Sequence, residues 1–205
     1  ATDKAVIPYG VGVDIGCRMS LSVYDLPASF LKGKSHQLIQ ILQDHTKFGM
    51  YETHKIKADH EIFERSIFDE IPILKSLKTK AYQQLGTSGG GNHFVEFGIV
   101  KLDEVKPEWN LIPGEYLAVL SHSGSRGLGA NIAKHYTYLA AKQCPLPKQV
   151  QHLAWLDLDT HDGQEYWAAM NLAGDYAKAC HDDIHRRIAK ALGKRIVFNI
   201  ENHHN

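Results

Sequence analysis

Apolar positions along this chain follow two periods that take turns from end to end. Met19, Leu21 and Val23 repeat every second residue and predict a strand, entered through the glycine-rich stretch GVGVDIGC at residues 10–17. Residues 28–48 then read as helical around Leu38, Ile39 and Leu42. Within residues 60–85, Ile62, Phe63 and Ile67, then Leu74, Leu77 and Ala81, predict two helical stretches. Pro72 breaks them, because proline lacks the N–H that a helix interior needs. The stretch LGTSGGG at residues 85–91 stops the second helix, and NHFVEFGIV at residues 92–100 reads as a strand. A short buried strand, EYLAVLSH, follows at residues 115–122, then the turn SGSRGLG and a helix near 130–143. A long helix is expected over about 163–192, with Ala177, Cys180, Ile184, Ile188 and Leu192 at helical spacing. RIVFNI is the last strand and runs into ENHHN. The pattern predicts an α+β fold of mixed sheets with flanking helices, with its site in strand-end loops, where polar clusters gather.

The chain has 205 residues, enough to bury a sizeable core. No linker, repeat or low-complexity tract divides it, so residues 1–205 are expected to form a single domain. It starts at Ala1 and stops abruptly after NHHN, which suggests a domain incomplete at both ends. Lys plus Arg and Asp plus Glu both number 23, so nucleic-acid binding needs a local basic patch rather than an overall charge. Three scattered cysteines argue against a disulfide framework and for a reducing, cytoplasmic setting. No apolar run reaches the roughly 18 residues of a transmembrane helix, so no membrane partner is expected. The 13 histidines are many for this length, and several fall in polar turns.

Three turns hold candidate chemistry. In VDIGC, a hard carboxylate, Asp14, sits three residues from a soft thiol, Cys17, which suggests one metal ligand set or nothing at all. In GGGNHFVEF, strand alternation places Asn92, Phe94 and Glu96 on one face and His93 and Val95 on the other. The first face could hold a purine and a phosphate, and the histidine a metal; a glycine-rich hairpin is the plain alternative. In SHSGSRGLG, a strand ends at His122 and Ser125, Arg126 and Gly127 lead into a helix N-terminus, a natural phosphate or RNA-backbone site. The spacing matches neither a P-loop nor a dinucleotide fingerprint. With His203 or His204 at the end of the last strand, four separate turns each supply a carboxylate, thiolate or imidazole.

HDDIH, His181–His185, mimics the zinc-protease pattern, but Asp182 stands where the longer Glu is needed. With Arg186, Arg187, Lys190, Lys194 and Arg195 following, it reads as a solvated, basic helix face, or more weakly as an RNA-backbone patch. Cys180 lies on the core stripe, and Cys144 has no identifiable partner.

The stretches GVGVDIGCRM, LGTSGGGNHFVEFG, SHSGSRGLG, GQEYWAAMNLAGDYA and the terminal HHN, in that order, resemble the RtcB family of RNA-splicing ligases. The resemblance implies joining of RNA 3′-phosphate or 2′,3′-cyclic phosphate ends to 5′-hydroxyl ends, dependent on GTP and two Mn²⁺ ions. It implies that Asp14, Cys17 and His93 hold one ion and that Cys17, His122 and His204 hold the other, the thiolate bridging. His204 is preferred over His203 because the family's ligand directly precedes an Asn. Guanylate would lie against Asn92, His93, Phe94, Val95 and Glu96, with His204 and Asn205. The implied route runs through a histidine–GMP adduct, transfer of GMP to the RNA 3′-phosphate, and displacement of GMP by the 5′-hydroxyl. The family more often has Asn at the position of Gly16 and Cys at that of Ser123, and neither change removes a ligand. Its Gly-Ala-Gly-Arg turn, which carries the guanylylated histidine, is not among these residues, so the 205-residue chain is expected to lack that nucleophile. Two other functions use the same residues: a dinuclear metallophosphoesterase acting without GTP, and a catalytically inactive RNA-binding repair protein. RNA, as tRNA halves or broken ends, and GTP are the expected partners.

Overall fold

The alternation at Met19–Val23 becomes part of a long central strand. The computed structural model describes residues 2–55, 58–105, 107–109 and 111–204. In chain order it comprises β1 (Ala5–Val6), α1 (Pro8–Val11), β2 (Arg18–Pro27), α2 (Ser29–Gly33), α3 (Ser35–His45), α4 (Ile67–Glu70) and α5 (Pro72–Gln84). Then follow β3 (Phe94–Leu102), β4 (Gly114–Ser123), α6 (Arg126–Gln143), β5 (Leu156–Asp157), α7 (His161–Leu192) and β6 (Ile196–His203). The α+β expectation holds. An antiparallel sheet of order β3-β4-β2-β6 carries the strand-end turns, and β1 pairs with β5 in a separate two-residue ladder.

Strand alternation splits the sheet into two faces. Tyr24, Val95, Leu117 and Val119 point to one face and pack against Leu38, Ile41, Ile184 and Ile188 of α3 and α7. Val23, Ala118 and Leu102 point to the other, where Trp109 stacks on Phe198 with ring centroids 4.1 Å apart. A second and larger core lies among α5, α6 and α7 around Leu74, Leu128, Ile132, Tyr136, Tyr166 and Tyr176. Helix α7 belongs to both cores. Its 32 residues span about 48 Å at 1.5 Å per residue, and the Thr160 hydroxyl caps it by accepting from the Gly163 N–H at 3.2 Å. Truncating Ile184 to Ala, at its fully buried contact with the sheet, costs about 2–5 kcal/mol by lost transfer energy and cavity formation.

Several boundaries move from the sequence expectation for local reasons. The break expected at Pro72 does fall there, since α4 ends at Glu70 and Pro72 starts α5 at the first helical position, where the missing N–H costs nothing. Helix α6 begins at Arg126, four residues earlier than the apolar spacing suggested. The β1–β5 ladder is too short to leave a periodic signal. Strand β3 starts only at Phe94, so Asn92 and His93 precede it and strand alternation does not govern their directions. Among the described residues, no helix is long and apolar enough to cross a membrane.

Candidate metal centre

Four turns meet at one end of the large sheet. VDIGC forms a tight turn at the entrance of β2, closed by the Cys17 N–H on the Asp14 carbonyl at 3.1 Å. Beside it are His93 just before β3, His122 near the end of β4, and His204 just after β6. Antiparallel register delivers them together, since Arg18 pairs with both Ser123 and His203. His204 is further tied by its N–H to the Cys17 carbonyl at 3.1 Å.

The imidazoles are oriented by carbonyls. His93 Nδ1 lies 2.7 Å from the Ser88 carbonyl and His122 Nδ1 lies 3.0 Å from the Asn92 carbonyl. A carbonyl only accepts, so each Nδ1 carries a hydrogen and each ring turns its Nε2 inward. His93 Nε2 is 2.8 Å from Asp14 Oδ2 and 3.7 Å from Cys17 Sγ. His122 Nε2 is 3.1 Å from Cys17 Sγ and 3.3 Å from His204 Nε2. Carboxylate, thiol and imidazole groups therefore crowd into one space, a donor set that fits a cation. Two groups of ligand atoms, Asp14–Cys17–His93 and Cys17–His122–His204, each lie within 4.8 Å of one another. Cys17 belongs to both.

Charge within the cluster is polarised. Burial raises the Asp14 carboxyl, but hydrogen bonding with His93 and Cys17, the His93 charge and the Ser125 N–H outweigh it, and the net shift is downward. Burial and then the neighbouring Asp14 push the Cys17 thiol up to about 12. Without a cation the sulfur keeps its proton. Gly124 makes room for the carboxylate, since a Cβ there would lie 2.0 Å from Asp14 Oδ1. Nothing in the sequence around Gly124 pointed to this contact.

The turn at 125–127 is built differently from the phosphate site expected of it. The Ser125 N–H donates to Asp14 Oδ1 at 3.1 Å, and the Gly127 N–H donates to Gln84 Oε1 at 3.0 Å. The Arg126 guanidinium donates to Thr87 Oγ1 and to the Gly49 carbonyl, both at 3.1 Å. These donors are engaged within the protein. Arg126 and Gly127 still line a cavity of about 500 Å³ together with Asp14, Asn92 and His93. Phe94 is half-buried with its ring centroid 5.8 Å from that of His122, Val95 is in the core, and Glu96 is exposed on the open face of the sheet. Asn205 lies outside the described residues.

The solvated face expected at HDDIH is overturned. His181 and His185 are buried, as is Asp183, which pairs with Arg186 and with Arg187, the latter at 2.6 Å. The reason is on the facing strands, which present serines rather than apolar side chains. Because the Ser123 carbonyl only accepts, His181 Nε2–H donates to it at 3.2 Å, and every other direction follows. Ser121 O–H donates to His181 Nδ1 at 2.6 Å and accepts from His185 Nε2–H at 2.7 Å. Ser22 O–H donates to His185 Nδ1 at 2.7 Å and accepts from Asn199 Nδ2–H at 3.0 Å. This one-way chain ties α7 to β2, β4 and β6, the strands whose ends carry Cys17, His122 and His204. Cys180 is fully buried in the helical core, as its place on the apolar stripe implied.

A family model described as "tRNA-splicing ligase RtcB" matches residues 66–205. The chain belongs to the RtcB family. It is 26% identical over 228 residues to "tRNA-splicing ligase RtcB" of Nanoarchaeum equitans, an alignment covering 96% of this chain and 48% of that protein. It is 31% identical over 197 residues to "RNA-splicing ligase RtcB" of Escherichia coli strain K12, covering 87% of this chain and 42% of the relative. The chain thus spans about half the length of the curated relatives it matches. Its two departures from the RtcB pattern sit off the ligand atoms. Ser123 Oγ donates to the Ser88 carbonyl at 2.7 Å, on the side of the strand away from His122. Gly16 has φ +72°, and a Cβ there would lie 2.6 Å from the Gly174 Cα of α7, so a larger residue forces the helix outward.

Proposed function

We propose that this chain carries the two-metal centre of a GTP- and Mn²⁺-dependent RNA ligase that joins 3′-phosphate or 2′,3′-cyclic phosphate ends to 5′-hydroxyl ends through a histidine–GMP intermediate. One observation carries the reading: two ligand groups share a single thiol, with the Nε2 atoms of His93 and His122 turned toward it by backbone carbonyls on their Nδ1 sides. Asp14, Cys17 and His93 would hold one ion, and Cys17, His122 and His204 the other. Thiolate and imidazole alone favour Zn²⁺ by affinity, so the choice of Mn²⁺ rests on the family resemblance. When bound, the ions supply positive charge against phosphoryl oxygens. The chain's own part is positional. Ser88 and Asn92 fix the rings, Ser125 holds the Asp14 carboxylate, and Cys17 surrenders its proton on loading. Guanylate is assigned to the strip Asn92–Glu96, His204 and Asn205. The test is ligation of a 3′-phosphate RNA to a 5′-hydroxyl RNA by this chain extended with an RtcB segment that carries the guanylylated histidine, with GTP and Mn²⁺ each omitted in turn. Phosphate release without joining in the absence of GTP would convert the reading to a metallophosphoesterase.

Two predictions follow from the local geometry. Proton release from Cys17 makes loading pH-dependent, because the apo thiol holds its proton up to about 12 while the bound thiolate has none. Apparent Mn²⁺ affinity should rise about tenfold per pH unit between pH 7 and 9 from this proton alone. Titration calorimetry in buffers of different ionisation enthalpy measures the released proton directly, and a pH-independent affinity rules out Cys17 as a ligand. Gly124→Ala should displace the Asp14 carboxylate and cost the protein one ion rather than two. Metal analysis showing two retained ions would mean that Asp14 has no part in holding them.

A further inference from the structure

One face of α6 lies open beside the metal centre. Ala130, Ala133, Thr137 and Ala141 recur at helical spacing and line a cavity of about 1000 Å³ between α1 and the 3₁₀ turn Lys148–Leu153. Its rim is aromatic and basic. Tyr9 is 56% exposed and Tyr138 is 61% exposed, and the Tyr9 ring meets the His152 ring edge-on at 4.9 Å. Lys134 and Lys148 line the cavity, Lys142 Nζ sits 4.8 Å over the Tyr138 ring, and no carboxylate is among the described lining residues.

This cavity adjoins the one beside the centre. Val13 and Ala130 line both it and the smaller cavity that holds Asp14 and His93. Together the two cavities border α6 from Arg126 to Ala141, about 22 Å at 1.5 Å per residue. In a chain with zero net charge, a groove with unopposed lysines is a local feature, not a reflection of composition. Exposed rings beside lysines along a narrow trough are what a single strand of nucleic acid uses: bases stack on the rings, and phosphates lie against the ammonium groups. A lipid surface does not enter a concave trough, and an acidic peptide has no use for paired rings.

We infer that the α6 groove is the track for a single-stranded RNA, with bases on Tyr9, His152 and Tyr138, phosphates at Lys134 and Lys148, and its terminal phosphate reaching the Asp14–His93 cavity. This rests on the RNA-ligase reading above and specifies where that substrate lies. None of these residues belongs to the ligand groups, so variants here leave the metal content intact.

The experiment is fluorescence anisotropy of a labelled, single-stranded oligoribonucleotide ending in a 3′-phosphate, with the metal-loaded protein. Tyr138→Ala should weaken binding about five- to a hundred-fold, the worth of one stacked base, while Tyr138→Phe restores it. The pair Lys134→Gln and Lys148→Gln should flatten the slope of log Kd against log salt by about 1.4, or 0.7 per phosphate released. Photocross-linking of 4-thiouridine placed behind the terminal nucleotide should label α6 or the 148–153 turn, which gives an answer even if a variant misfolds. Wild-type protein that binds no RNA overturns the ligase reading and this inference with it. Wild-type protein that binds RNA, with unchanged affinity and salt slope in the variants and cross-links elsewhere, overturns the track alone.

Discussion

Replacing Cys17 with Ala should strip the protein of both metal ions, whereas Asp14→Ala and His122→Ala should each lose one. The sulfur is the only ligand atom common to both groups, 3.1 Å from His122 Nε2 and 3.7 Å from His93 Nε2. Removing it leaves Asp14 with His93, and His122 with His204, as two-ligand remnants. Loss of a single turn side chain takes little from either core, so near-native circular dichroism should accompany the empty centre. Elemental analysis of the three purified variants reads the count. Alkylation gives an independent measure, because Mn²⁺ should shield Cys17 while Cys180, fully buried, stays unreactive with or without metal. A Cys17→Ala protein with its full metal content, or alkylation at Cys17 that ignores Mn²⁺, defeats the shared-thiolate reading.

The second large effect is acid lability. Burial depresses His181 to about 4 and, aided by the His181 charge, His185 to about 3. In an unfolded chain both titrate near 6.5. Below that pH the unfolded state binds protons that the folded state refuses. The stability these groups contribute is therefore complete above pH 6.5 and drains away as pH falls towards 4 and 3. Each imidazole contributes a slope of about 1.4 kcal/mol per pH unit, or about 3 for the pair between pH 6 and 4. Urea unfolding at pH 7.5, 6.0, 5.0 and 4.5 should show that decline. His185→Gln should be less stable at pH 7.5, because the Ser22 and Ser121 hydroxyls lose partners, yet its decline should be about half as steep. Equal stability of the wild-type protein at pH 7.5 and 4.5 would place both imidazoles in water.

What the sequence determined by itself follows from local rules. Periods of 2 and 3.6 were enough to set β2, β3, β4 and β6 apart from α3, α5 and α7, because side-chain direction along a regular backbone depends only on residue number. The types of group at the strand ends were legible too, as were the five ordered stretches that carry the family resemblance. The tertiary structure decided everything that depends on what faces what. Alternation marks Ser20 and Ser22 as a polar face of β2 but cannot say that α7 covers it, so HDDIH read as solvated when its histidines are buried. Which of His203 and His204 lies beside Cys17 was decided only in space, by the register of β6 on β2, which sets His203 opposite Arg18 and carries His204 to Cys17. The N–H groups of Ser125 and Gly127 looked available for a phosphate, and only folding brought Asp14 and Gln84 to them. Convergence of Asp14, Cys17, His93, His122 and His204 spans most of the chain. Such contacts arise from strand pairing between distant segments, and no window of sequence contains both partners.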